Sequence, residues 1–74
     1  MEETNSYRIS IYCPPDREKL VADISFSNIQ WAELNQEGAE LRVEFYARPD
    51  GLPWNISLAD AEGALKLAKQ KLIG

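Results

Sequence analysis

Histidine is missing from this chain, and with it the commonest general base. Neither a Ser–His–Asp nor a Cys–His arrangement can be assembled from its 74 residues. Among the groups left to do chemistry are one thiol and twelve side-chain carboxylates. Cys13 would act as a nucleophile only as a thiolate, which needs a nearby cation or helix N-terminus. Its neighbours Pro14, Pro15 and Asp16 supply neither, so an incidental or structural role is expected. A single cysteine forms no intrachain disulfide and, without histidine, builds no zinc cage. Glycine-rich phosphate loops, EF-hand spacing and CxxC pairs are all absent from the sequence. No metal and no cofactor is expected.

Carboxylate chemistry needs one acid desolvated in a cleft. Glu2-Glu3, Asp16/Glu18 and Asp60/Glu62 fall in an N-terminal tail, a loop and a helix start, all places open to water. Glu33 differs, because strand pairing puts it near Leu41 on the apolar face of a sheet. Strand-end fraying or a bulge accounts for that position more simply than catalysis. Trp54, beside Pro53, is a second candidate: tryptophan is enriched where proteins touch, although it more simply caps one end of a small core.

These groups are positioned by four strands and a helix. Tyr7–Tyr12 alternates, with Tyr7, Ile9 and Ile11 on one side, and Pro14-Pro15 ends the strand. Leu20–Phe26 alternates again, and Ser27-Asn28 is a two-residue hairpin turn into Ile29–Asn35. Gln36-Glu37-Gly38 fits a three-residue loop with a left-handed glycine, followed by a strand over Glu40–Ala47. Those turns place Phe26 opposite Ile29, Ile24 opposite Trp31, Trp31 opposite Val43 and Ile29 opposite Phe45. All six side chains then share one face, with Trp31, Ile24 and Phe45 buried together. Arg48-Pro49-Asp50-Gly51 is a turn. Ser57 caps a helix of about four turns whose apolar stripe is Leu58, Ala61, Leu65, Ala68 and Leu72, widened by Ala64. Gly63 interrupts it, which close approach of the helix to the sheet would explain. The expected fold is α+β: a four-stranded antiparallel meander with one C-terminal helix on one face, ββββα. Residues 1–74 are expected to form one domain, with 1–6 a disordered tail.

A single helix leaves the other sheet face open. The expected register sets Val21 opposite Leu34 there, joined by Tyr46 and Tyr12, with Arg42 among them. Tyrosines and aliphatics interspersed with charge mark a contact surface. The net charge is −4, with 8 basic residues scattered along the chain. Nucleic-acid affinity rests on clustered basic side chains, so nucleic acid is not an expected partner, and the acidity favours a basic protein. The polar, acidic N-terminus lacks a secretory pattern and no segment is long and apolar enough to span a membrane, so a cytoplasmic location without membrane association is expected.

The expected function is that of a small acidic, non-catalytic protein-interaction module of the inhibitor, immunity or accessory kind. Its partner would be another protein, basic in character, or a second copy of itself. The contact surface would be Tyr12, Val21, Leu34, Arg42 and Tyr46, with Trp54 second. The alternative is a small ligand-binding or enzymatic domain using the carboxylates and Cys13. Convergent carboxylates in a deep pocket would distinguish it.

Overall fold

The computed structural model describes residues 7–16, 18–36 and 38–74. The expected tail at 1–6 lies outside the described residues, as do Arg17 and Glu37. Four strands follow in order, β1 (Tyr7–Tyr12), β2 (Val21–Phe26), β3 (Ile29–Asn35) and β4 (Arg42–Phe45), then one helix, α1 (Leu58–Ile73). The strands form an antiparallel sheet in the order β1-β2-β3-β4, which gives the α+β meander with a C-terminal helix.

The first hairpin turns as its residues dictate. Ser27 and Asn28 both take left-handed backbone, φ 51° and 67°, the geometry that matches the twist of a two-residue hairpin. Phe26 therefore faces Ile29. The expected register then fails at a bulge. Between Ile24 and Ser25 of β2, strand β3 spends one extra residue, so Ser25 faces Gln30 but Ile24 faces Ala32. Trp31 is that extra residue. It stays in the core together with Ala32, and both side chains are buried.

The second connection also departs from expectation. Asn35 pairs with Arg42, not with a residue directly after Gly38. That pairing leaves no place for the three-residue bulged turn. Six positions, not three, separate the paired residues Asn35 and Arg42, and β4 is confined to Arg42–Phe45. Ala32 faces Phe45 and Leu34 faces Val43. The bulge shifts the register by one residue and the loop by three, and the two odd shifts cancel. Val43 and Phe45 thus return to the same face as Ile24 and Phe26, by a different pairing.

An aromatic relay crosses the sheet on this face. Tyr7, Phe26, Trp31 and Phe45 meet edge to face, with successive ring centroids 5.8, 5.2 and 5.4 Å apart. Each such pair contributes about 0.5–1.5 kcal/mol beyond its buried area. Beneath α1 the contact is made by small residues: Ala64 and Ala68 are fully buried, flanked by Ala61, Leu65 and Leu72. Leu58 points away and is 72% exposed. The N-terminus of α1 is closed by Ser57, whose Oγ accepts the Asp60 N–H at 3.1 Å.

The helix does not lie centrally. It packs principally on β1 and β2. Strands are spaced about 4.8 Å apart and a helix is about 10 Å across, so one helix shields roughly two strands. The expected burial of Phe45 beneath α1 is corrected on this ground. Ile24 and Trp31 are buried, whereas Phe45 is 60% exposed.

Candidate interaction surface

The outer sheet face carries a row of acids. Register places Ser10, Asp23, Glu33 and Glu44 directly opposite one another across all four strands. Like charges so placed repel, and local hydrogen bonds offset this. Asp23 accepts from Gln30 Nε2. Tyr46 donates its hydroxyl to Glu33 Oε1 at 3.0 Å, and Asn35 Nδ2 lies 3.5 Å from Glu44 Oε2. Burial, the bond to Glu33 and the charges of Glu33, Glu44 and Asp23 together push the Tyr46 phenol up to about 12. Glu33 is buried here and not on the apolar face; the Trp31 bulge carries it across.

The bulge also separates the expected contact residues. Val21 faces Tyr12 on the outer side and is fully buried. Leu34 faces Ala22, not Val21, and belongs to the core on the helix side. Asp23 faces Glu33. Tyr12 and Arg42 are exposed, and Tyr46 is half-buried. Leu34 is therefore removed to the helix side, while Tyr12, Val21, Arg42 and Tyr46 stay on the outer face, with Val21 buried there.

Trp54 is built into the structure at the end of the core. Its Nε1–H donates to the Tyr46 carbonyl at 2.7 Å, and the Arg48 guanidinium stacks over its ring at 5.2 Å. Arg48 in turn grips Asp50 through two bonds of 3.0 and 2.8 Å, while the Leu52 N–H donates to the same carboxylate. The guanidinium first, and the Leu52 amide second, hold the Asp50 carboxyl down at about 2. The Arg48-Pro49-Asp50-Gly51 turn closes as expected, with the Gly51 N–H on the Arg48 carbonyl and φ +78° at Gly51. Cys13 is exposed at the end of β1.

Exposed apolar surface gathers instead at β4. Val43 is 42% and Phe45 60% exposed, on the same side as the core. Beside them a groove of ≈ 200 Å³ is lined by Leu34, Leu41, Arg42, Val43, Leu65 and Lys69. The strand is a sheet edge, and its phase is fixed by one bond: the Tyr46 N–H donates to the Trp31 carbonyl at 2.9 Å. In an antiparallel ladder alternate residues turn their backbone groups to opposite neighbours. Arg42, Glu44 and Tyr46 thus face β3, and Val43 and Phe45 direct N–H and C=O outward. Sequence reasoning missed this surface by assuming that the helix covers every apolar strand residue. The width of one helix against four strands was the available signal.

Among the described residues no group of three or more His, Cys, Asp or Glu side chains is arranged to hold a metal ion. No helix of the described residues is long and apolar enough to cross a membrane. The concavities at Trp54, at the C-terminus of α1 and beside β4 contain none of Asp23, Glu33 and Glu44. Comparison with protein-family models, curated proteins and solved structures finds no match, so function must be sought in these side chains alone.

Proposed function

We propose that this chain is a non-catalytic protein-interaction module whose contact surface is the β4 edge with its apolar shoulder, Leu41, Val43 and Phe45 beside Leu65. The observation that carries this is the exposure of Phe45 at the end of the aromatic relay, on a strand whose outward backbone groups can accept another strand. An apolar ring on a sheet edge is a template for association, and natural sheets ordinarily blunt such edges with charge or proline. The opposed acids Asp23, Glu33 and Glu44 line none of the three concavities, and Asp60 alone enters the one at Trp54, which supports a binding role over acid–base chemistry by paired carboxylates. Net charge −4 speaks against nucleic acid, whose capture depends on basic clusters.

Capture from an extract of the native host tests the surface. Wild type, Phe45→Asp and Tyr12→Ala are compared, each first shown to be folded by circular dichroism. The expected result is one captured protein with wild type and with Tyr12→Ala, and its loss with Phe45→Asp. Equal capture by Phe45→Asp would refute the β4 surface, and loss with Tyr12→Ala alone would move the contact to the outer face.

A further inference from the structure

We infer that the partner of the β4 edge is a second copy of this chain, paired antiparallel about a two-fold axis at Val43 to join two sheets into one. This rests on β4 being the contact edge, and it follows from the backbone phase and the charge order of five residues. A two-fold axis perpendicular to the sheet keeps each face on its own side, so paired residues must share a face. Only pairings centred on a residue satisfy that.

Four centres are available within the strand and its flank. Centred on Arg42, the arginines oppose each other; centred on Glu44, the glutamates do. Centred on Phe45, Arg42 meets Arg48 of the other copy. Like charges directly opposite destabilise a pair. Centred on Val43, Arg42 of each copy faces Glu44 of the other, and no like charges meet. Arg42 and Glu44 are both exposed on the outer face. Arg42 makes a loose, exposed contact to Glu40 at 3.8 Å, and a carboxylate such as Glu44 accepts several hydrogen bonds.

The same register serves the other face. Val43 meets Val43, and Leu41 meets Phe45 twice, which covers the apolar side chains that α1 leaves open. The backbone phase admits this register. Val43 and Phe45 are the residues whose N–H and C=O point outward, so Val43–Val43 and Leu41–Phe45 become the hydrogen-bonded pairs, about six bonds in all. Arg42–Glu44 become the close, non-hydrogen-bonded pairs, where side chains approach nearest. Two copies of charge −4 repel at long range. At physiological salt, where screening extends over about 8 Å, the contact pairs decide.

The test is sedimentation equilibrium on wild type, Arg42→Glu, Glu44→Arg, the double swap R42E/E44R, and Val43→Pro, from about 1 to 500 μM, the span of a moderate dimer affinity. Wild type should dimerise. Each single variant should weaken the dimer about tenfold or more, because two attractive pairs become repulsive. The double swap should restore it to within about threefold of wild type. Val43→Pro removes an outward N–H and no bond to β3, so it should stay folded and be monomeric. A wild type monomeric throughout, a double swap no tighter than the weaker single variant, or a folded Val43→Pro that still dimerises would overturn the pairing. Should wild type prove monomeric yet capture a host protein through Phe45, self-pairing fails and the module reading stands. Loss of both results removes both.

Discussion

Gly63 offers a quantitative test of how the helix sits on the sheet. In a helix interior glycine costs about 1 kcal/mol against alanine. A Cβ added at Gly63 would stand 3.1 Å from the Tyr7 hydroxyl oxygen and 3.8 Å from its Cζ. The second distance is an ordinary contact, whereas the first requires the hydroxyl to retreat by a few tenths of an ångström. That oxygen is the tip of a side chain whose ring rests edge-on against Phe26. A small rotation suffices, far below the ~30° departure that costs about 1 kcal/mol. Gly63→Ala should therefore stabilise by about 0.5 kcal/mol, and in a Tyr7→Phe background by the full ~1 kcal/mol. Urea unfolding resolves this: with a slope of about 1 kcal/mol/M, the midpoints rise by about 0.5 M and 1 M relative to each parent. Destabilisation by Gly63→Ala in both backgrounds would show that the glycine answers to the sheet backbone and not to the Tyr7 hydroxyl.

Ser57→Ala removes the acceptor of the Asp60 N–H and should cost about 1 kcal/mol in thermal or urea unfolding. Trp54→Phe keeps an aromatic side chain, though a smaller one, but leaves the Tyr46 carbonyl without its indole donor; a loss of about 1–2 kcal/mol is expected by the same assay. The Tyr46 phenol should titrate near pH 12 when followed by ultraviolet absorbance, and Glu33→Gln should bring it down. Because the folded value is raised, the stability linked to this proton is complete below about pH 10 and is lost as pH rises toward 12.

Local chemistry made most of the elements legible. The alternation of Tyr7–Tyr12, the Ser27-Asn28 turn, the Pro49–Gly51 turn and the Ser57 cap each depend on a few adjacent residues, and each formed as expected. Register was less legible. The Trp31 bulge answers to packing: Trp31 and Ala32 are both apolar neighbours, and one extra residue lets both enter the core. No turn signal in the sequence announces that. Gly38 misled because a glycine after Gln36-Glu37 has the composition of a three-residue turn, while the strand pairing resumes only at Arg42 opposite Asn35.

The candidate surface was legible only in part. Arg42 belongs to the β4 groove and so does Leu34, although Leu34 was expected on the opposite face. Phe45 and Val43 were placed on the right face and expected to be covered. Which strands the helix shields depends on the length and path of the irregular 52–57 crossing, and hydrophobic patterning within α1 carries no record of that path. Glu33 shows the same limit, since its side of the sheet was set by a bulge two residues away.

Amide hydrogen exchange at Val43 and Phe45, followed across protein concentration, tests the β4 contact most directly. In dilute solution both N–H groups point away from β3 and should exchange quickly, while the Glu44 and Tyr46 amides on the same strand are protected by the sheet. At high concentration Val43 and Phe45 should become protected as the edge pairs, with Glu44 and Tyr46 little changed. Equal, fast exchange of Val43 and Phe45 at every concentration, or their protection in the most dilute sample, would contradict the account.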